Sequence, residues 1–122
     1  MQVTKNVLIV DDQAGIRLLL EEVIRGEGYQ VTSCEDGISA INYVKEHQPD
    51  LMIIDLQIPL RSGSEVVAIL EESGYQIPTI FISGLIENAK ALINNYQTVK
   101  GYISKPFNLI DVKEKINQLM NE

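Results

Sequence analysis

Asn6-Val7-Leu8-Ile9-Val10-Asp11-Asp12 is the stretch that decides the fold: four consecutive aliphatic residues run straight into two carboxylates. A second run, Leu51-Met52-Ile53-Ile54-Asp55, repeats the arrangement. An apolar run without polar alternation belongs to a strand buried on both faces, the situation of a parallel sheet covered by helices. In such sheets the functional crevice opens at the carboxyl ends of the strands. If these two strands are neighbours, three carboxylates converge there. Such a cluster repels itself unless a cation sits among it, and an all-oxygen donor set suits a hard metal ion.

Working outward, strand and helix alternate five times. The apolar spacing Ile16, Leu19, Leu20, Val23, Ile24 predicts a helix from Gln13 to about Glu27, stopped by Gly28 in a left-handed conformation. Tyr29 to Cys34 reads as a strand, Glu35-Asp36-Gly37 as a turn, and Ile38 to about His47 as a helix burying Ala40, Ile41 and Val44. After Gln48-Pro49-Asp50 come the strand Leu51 to Asp55, a loop from Leu56 to Ser62, and a helix from Ser64 to Glu72. Pro78 to Ile82 is expected as the fourth strand and Ile86 to about Tyr96 as the fourth helix. Gly101 to Ser104 is expected as a short fifth strand, with a closing helix over Leu109 to Met120. This order calls for right-handed crossovers and a buried parallel sheet, an α/β fold. No repeat, low-complexity stretch or linker interrupts it, so residues 1–122 read as one domain.

The composition bounds the partners. The 122 residues carry 10 Lys plus Arg against 17 Asp plus Glu, a net charge of -7. Nucleic-acid binding by this domain is therefore not expected. No apolar run approaches the ~20 residues needed to cross a bilayer. The start lacks the basic and apolar pattern of a signal peptide. The single Cys34 cannot form an internal disulfide, and the expected location is the cytoplasm. Cys34 reads as packing, and His47 as an exposed residue at a helix end.

Four positions gather at one edge of the sheet: Asp11-Asp12 after strand one, Asp55 after strand three, Ser83 after strand four and Lys105 after strand five. Taken singly, each has a plain structural reading. Asp11-Asp12 would cap a helix, Ser83-Gly84 would be a turn, and Lys105-Pro106 would be a loop. Taken together and in order, they resemble the receiver domain of two-component response regulators. Val10-Asp11-Asp12, Ile54-Asp55 with Pro59 and Gly63, Ser83-Gly84 and Lys105-Pro106-Phe107 carry the resemblance, which spans the whole chain.

The resemblance implies a flavodoxin-like doubly wound sheet of strand order 2-1-3-4-5 and a set of roles. Asp55 would accept a phosphoryl group. Asp11, Asp12, Asp55 and the backbone carbonyl of Gln57 would hold Mg²⁺ or Mn²⁺, Asp11 mostly through water. A cation there removes the repulsion between a carboxylate and a phosphoanion. Lys105 would neutralise one phosphoryl oxygen, and Ser83 would donate to another. Tyr102 would turn inward when Ser83 moves, changing the face formed by helix four, strand five and helix five. Lys105-Pro106 would be cis. Such a protein is a phosphoacceptor that catalyses its own phosphorylation and dephosphorylation, not an enzyme acting on a separate substrate.

Asp12-Gln13-Ala14-Gly15-Ile16-Arg17-Leu18-Leu19-Leu20 and Glu27-Gly28-Tyr29-Gln30 bring the chain nearer to the stand-alone receivers of sporulation phosphorelays. That resemblance implies a sensor histidine kinase upstream, a histidine phosphotransferase downstream and a phosphatase as a further candidate partner. Leu18 lies opposite the core stripe on a helical wheel. With Gln13, Ile16, Pro106 and Phe107 it forms the expected docking patch. The alternative is a receiver belonging to a longer regulator, whose phosphorylation switches an output domain. Three departures stand out: Ser62 in place of an Asp before Gly63, Leu60-Arg61 in the same loop, and no Gly-Ala pair before strand five.

Overall fold

The computed structural model describes residues 4–121, with residues 86–89 by their backbone alone. Its elements are β1 (Asn6–Val10), α1 (Ala14–Gly26), β2 (Gln30–Cys34), α2 (Gly37–His47), β3 (Leu51–Asp55), α3 (Gly63–Glu72), β4 (Thr79–Ser83), α4 (Ile86–Ile93), β5 (Val99–Ser104) and α5 (Leu109–Met120). The five strands form one sheet in the order β2-β1-β3-β4-β5, every pair parallel. β1 and β3 are direct neighbours, with Val10 opposite Ile54, so their carboxyl ends emerge side by side.

Strand alternation feeds two cores. Leu8, Val10, Met52, Ile54 and Phe81 pack with Ala40, Ile41 and Val44 of α2 and Val66, Val67 and Leu70 of α3. Val7, Ile9, Leu51, Ile53, Ile80 and Ile82 pack on the other face with Leu20 and Ile24 of α1 and Val112, Ile116 and Met120 of α5. Residues of both parities are buried, which is why these strands read as continuous apolar runs. Parity also sorts the strand ends. Asp11 and Asp55 continue the α1/α5 side, after Ile9 and Ile53. Ser83 and Tyr102 continue the opposite side, Ser83 after Phe81, with Phe81 and Tyr102 paired across the sheet.

Several boundaries differ from expectation. β4 runs one residue further, so Ser83 is its last residue and not the first of the loop. β5 begins at Val99, two residues earlier than the glycine suggested. Thr79 pairs with Val99 and Ile80 with Gly101, leaving Lys100 as a bulge that the strand pattern had hidden. α4 stops at Ile93, and Tyr96 lies beyond it, edge-on to Phe81 at 6.3 Å between ring centroids. Leu19, assigned to the apolar stripe, is 38% exposed, because the stripe that faces the sheet is narrower than the apolar spacing.

Local signals fix the remaining ends. Gly28 has φ 95°, the left-handed conformation expected of it. Asp36 caps α2 by accepting from the Ser39 amide at 2.8 Å. Ser62, a departure at the level of motif, makes a capping box with Glu65: each side chain accepts from the other residue's backbone amide. The Ser62 amide first, with the Ser62 hydroxyl and Arg61 adding to it, holds the Glu65 carboxyl below its usual range. Thr98 is buried at the start of β5 and gives both its amide (2.8 Å) and its hydroxyl (2.6 Å) to Glu71 of α3.

Gly63 is the tightest joint between α3 and the sheet. A Cβ there would meet the Asp55 carbonyl oxygen at 2.5 Å and Leu56 Cα at 2.9 Å, both backbone atoms with no room to yield. Gly26, the last residue of α1, has nothing within 4 Å of its would-be Cβ. The same substitution should therefore have opposite signs at the two sites. In urea unfolding, Gly63→Ala is expected to lose about 1–3 kcal/mol, and Gly26→Ala to gain roughly 0.5–1 kcal/mol.

Candidate functional site

The site is built on Asp11, whose backbone is held at both ends. Its amide donates to the Cys34 carbonyl at 3.2 Å, and its carbonyl accepts from Arg17 Nη1 at 2.8 Å. Its side chain is fully buried, with Oδ1 accepting from the Gln13 amide at 2.9 Å. This is a turn within the loop, not a helix cap; the N-cap of α1 is Gln13, which makes no side-chain capping bond. Asp55, 5% exposed, accepts from the Gln57 amide through Oδ1 at 2.9 Å. Asp12 is exposed at the mouth.

Lys105 reaches into this cluster from the end of β5. Its Nζ donates to Asp55 Oδ2 at 2.5 Å, lies 3.0 Å from Asp11 Oδ2, and has Gln13 Oε1 at 3.4 Å. Its own amide donates to the Ser83 carbonyl at 2.9 Å, which ties the ends of β5 and β4, and the Lys105-Pro106 bond is cis. Among the described residues the Ser83 hydroxyl makes no hydrogen bond to this ion cluster. It accepts from the Leu85 amide at 2.9 Å and donates to the Leu85 carbonyl at 3.1 Å. Beside it, a cleft of about 360 Å³ is lined by Leu56, Gln57, Ser64, Ser83, Ala91 and Leu92.

Burial raises the Asp11 carboxyl above its ordinary 3.8, although the Gln13 amide and Lys105 pull the other way. For Lys105 the largest single influence is burial, which disfavours its charge. The hydrogen bond to Asp55, with the negative charges of Asp55 and Asp11, outweighs it and carries the ammonium above its usual 10.5. One ammonium facing three carboxylates leaves negative charge uncompensated. Oxygens of Asp11, Asp12 and Asp55 all lie within 4.8 Å of one another. Asp11 Oδ2 is buried without an aligned hydrogen bond; the nearby Lys105 supplies charge but not a well-directed N–H. A buried carboxylate oxygen with open lone pairs, in a cluster of hard donors, fits a divalent cation such as Mg²⁺.

The other expected positions fall as follows. Gln57 is exposed beside Asp55 and lines the cleft with Ser83. Tyr102 is half-buried against the α2/α3-side core. Leu18 is 65% exposed; Gln13 and Pro106 are exposed as well. Ile16 and Phe107 are half-buried and pack on the α1/α5-side core, so they offer less surface than a free patch would. His47 is exposed and stacks on Tyr43 with ring centroids 4.4 Å apart. Cys34 is half-buried, and burial, with Asp36 adding to it, pushes its thiol to about 11, so it is protonated at neutral pH. Among the described residues no helix is long and apolar enough to cross a membrane.

Residues 7–117 match the family model of the response regulator receiver domain. The chain belongs to that family. Among its relatives is sporulation initiation phosphotransferase F of Bacillus subtilis, 30% identical over 95% of this chain and 94% of that protein. Response regulator GtcR of Aneurinibacillus migulanus is 31% identical over 93% of this chain, which spans only 46% of GtcR. The structure of response regulator TrrA from Thermotoga maritima, solved in complex with Mg²⁺-BeF, has a TM-score of 0.85 and 30% identity, covering 95% of this chain and 99% of that one. This receiver thus has relatives of its own length and relatives about twice as long.

Arg17 is the residue that pattern reading missed. On a helical wheel it is one more polar position, yet its side chain is only 16% exposed. The available signal was a long cation in the first turns of the helix that follows the acidic pair.

The raised Asp11 carboxyl gives a signed expectation. A group whose folded-state pKa is raised is most favourable to folding when protonated, so ionised Asp11 costs stability at neutral pH. Without metal, Asp11→Asn should raise the melting temperature. The gain should be full above the folded-state pKa of Asp11 and fade to nothing as pH falls below 3.8, its ordinary value. Paired thermal melts across this range in a chelating buffer would measure it.

Proposed function

We propose that this receiver accepts a phosphoryl group on Asp55 from the phosphohistidine of a sensor kinase and passes it to the histidine of a phosphotransferase. The observation that carries the reading is the bridge from Lys105 Nζ to both Asp55 Oδ2 and Asp11 Oδ2, beside an acidic cluster able to hold a cation. Asp11, Asp12, Asp55 and the carbonyl of Gln57 would bind Mg²⁺ or Mn²⁺. When bound, the cation supplies charge neutralisation between carboxylate and phosphoanion.

The rest falls to the chain's own side chains. An oxygen of Asp55 forms the new O–P bond as the P–N bond of the donor breaks, and the imidazole nitrogen keeps that electron pair. Lys105 already contacts Asp55 and exchanges a carboxylate oxygen for a phosphoryl oxygen with little movement, carrying a full charge throughout. Ser83 must release Leu85 before its hydroxyl can donate to the phosphoryl group, and that release is the switch. Tyr102, on the same face of the neighbouring strand, responds to the space Ser83 leaves. Gln13, Leu18 and Pro106 ring the crevice as the docking surface for kinase, phosphotransferase or phosphatase, with Ile16 and Phe107 beneath them as support. The net charge of -7 suits a cytoplasmic protein, and residues 1–122 are read as a single domain.

The relay reading is supported by the match over nearly the full length of sporulation initiation phosphotransferase F. The second reading, a receiver within a longer regulator, is favoured by relatives such as GtcR, of which the chain spans about half.

One experiment tests the acceptor and a second separates the two readings. With Mg²⁺ and acetyl phosphate, intact-protein mass should show one added phosphoryl group on the wild type and none on Asp55→Ala; an unchanged adduct on the variant would sink the acceptor assignment. Incubation of the phosphorylated receiver with a histidine phosphotransferase should move the label to histidine. Retention of label on the receiver across a panel of phosphotransferases would favour the end-point switch of a longer regulator.

A further inference from the structure

Arg17 stands in the first turns of α1, and its side chain turns back beneath the β1–α1 loop. At 16% exposure, a guanidinium needs real partners, because an unpaired buried charge is costly. It has two. Nη2 lies 3.7 Å from Glu35 Oε1, but the Glu35 side chain is 75% exposed, so that ion pair is weak. The stronger partner is the Asp11 carbonyl, at 2.8 Å from Nη1.

That carbonyl belongs to the peptide joining Asp11 to Asp12, and a peptide is planar. With the Asp11 amide on the Cys34 carbonyl at 3.2 Å, the Arg17 bond fixes the plane and hence where the Asp12 Cα lies and how its side chain departs. Among the described residues Asp12 accepts no hydrogen bond of its own, so its aim depends on that plane. We infer that Arg17 is a positioning residue for cation binding: it orients the Asp11-Asp12 peptide so that Asp12 meets Asp11 and Asp55 within reach of one ion. This rests on the reading of the three carboxylates as cation ligands.

The sign of the effect separates positioning from bulk electrostatics. Removing a positive charge near an acidic site strengthens cation binding if only charge matters, whereas loss of the oriented peptide weakens it. The full chain would be titrated with Mn²⁺, with the free ion followed by electron paramagnetic resonance, in wild type, Arg17→Met, Arg17→Lys and Arg25→Met. Arg25→Met removes the same charge from the exposed end of the same helix.

Arg17→Met is expected to weaken Mn²⁺ binding about tenfold, the usual scale for losing a partner that orients a ligand. The Mg²⁺ concentration for half-maximal phosphorylation by acetyl phosphate should rise by a similar factor, with the rate at saturating Mg²⁺ near wild type. Arg17→Lys should recover part of the affinity, since an ammonium can still donate to the carbonyl, and Arg25→Met should not weaken binding. Arg17→Met binding Mn²⁺ as tightly as wild type or more tightly, or Arg25→Met weakening it equally, overturns the inference. If Arg17→Met fails to fold, Arg17→Lys carries the test: affinity below wild type supports the inference, and unchanged affinity overturns it. A wild type that takes no Mn²⁺ overturns the cation reading itself, a result distinct from the others.

Discussion

The contact on which the site depends is that of Lys105 with Asp55 and Asp11. Two buried carboxylates at the ends of adjacent parallel strands would be a severe electrostatic fault without it. The ammonium comes from β5, the far edge strand on that side of the sheet, and its arrival depends on several earlier events. β1 and β3 must pair for the two aspartates to meet. β4 must separate β3 from β5 by one strand, which a four-carbon side chain can span. The Lys105 amide must hold the Ser83 carbonyl so that the β5 end does not drift. Sheet order, strand register and loop geometry are thus tested together at one nitrogen.

Strand parity then divides the edge into two compartments. Asp11 and Asp55 follow residues of the α1/α5-side core, and Lys105 joins them there. Ser83 and Tyr102 follow residues of the core beneath α2 and α3. A two-residue period imposes this separation and no loop can undo it. Charge compensation lies on one side of the edge and the hydroxyl and aromatic on the other, with the end of β3 between. A group added to Asp55 would stand where both sides can reach it.

Much of this was legible because its causes are local or periodic. Apolar runs ending in aspartate define parallel strands, and glycines with left-handed backbone end helices. Asp11, Asp12, Asp55, Ser83 and Lys105 could be placed at one edge of the sheet from the ends of strands one, three, four and five, and the family resemblance then set them apart from ordinary caps and turns. What escaped was decided by tertiary context. Ser83 ends a strand and does not begin a loop, because it pairs with Ser104. β5 starts early because a bulge at Lys100 restores register, and bulges leave no alternation pattern to read. Leu19 looks like core by composition, yet only the residues facing the sheet are sealed. Ile16 and Phe107, assigned to a surface patch, are partly spent on packing.

Arg17 shows the same limit from the functional side. Helical spacing says which face of α1 is apolar, but it does not say that a polar side chain folds back along the helix towards the preceding loop. That direction is a property of helices generally: side chains lean towards the N-terminus, so a residue in the first turns covers the segment before it. Applied here, the rule places a long cation over the carbonyl between two aspartates. The acidic loop is then more than a row of ligands at a strand end. It is a short backbone segment pinned at the Cys34 carbonyl, the Gln13 amide and the Arg17 guanidinium, with Asp12 as its one unpinned side chain among the described residues. Rigidity in the backbone and freedom in one carboxylate would suit the cation site proposed for this loop.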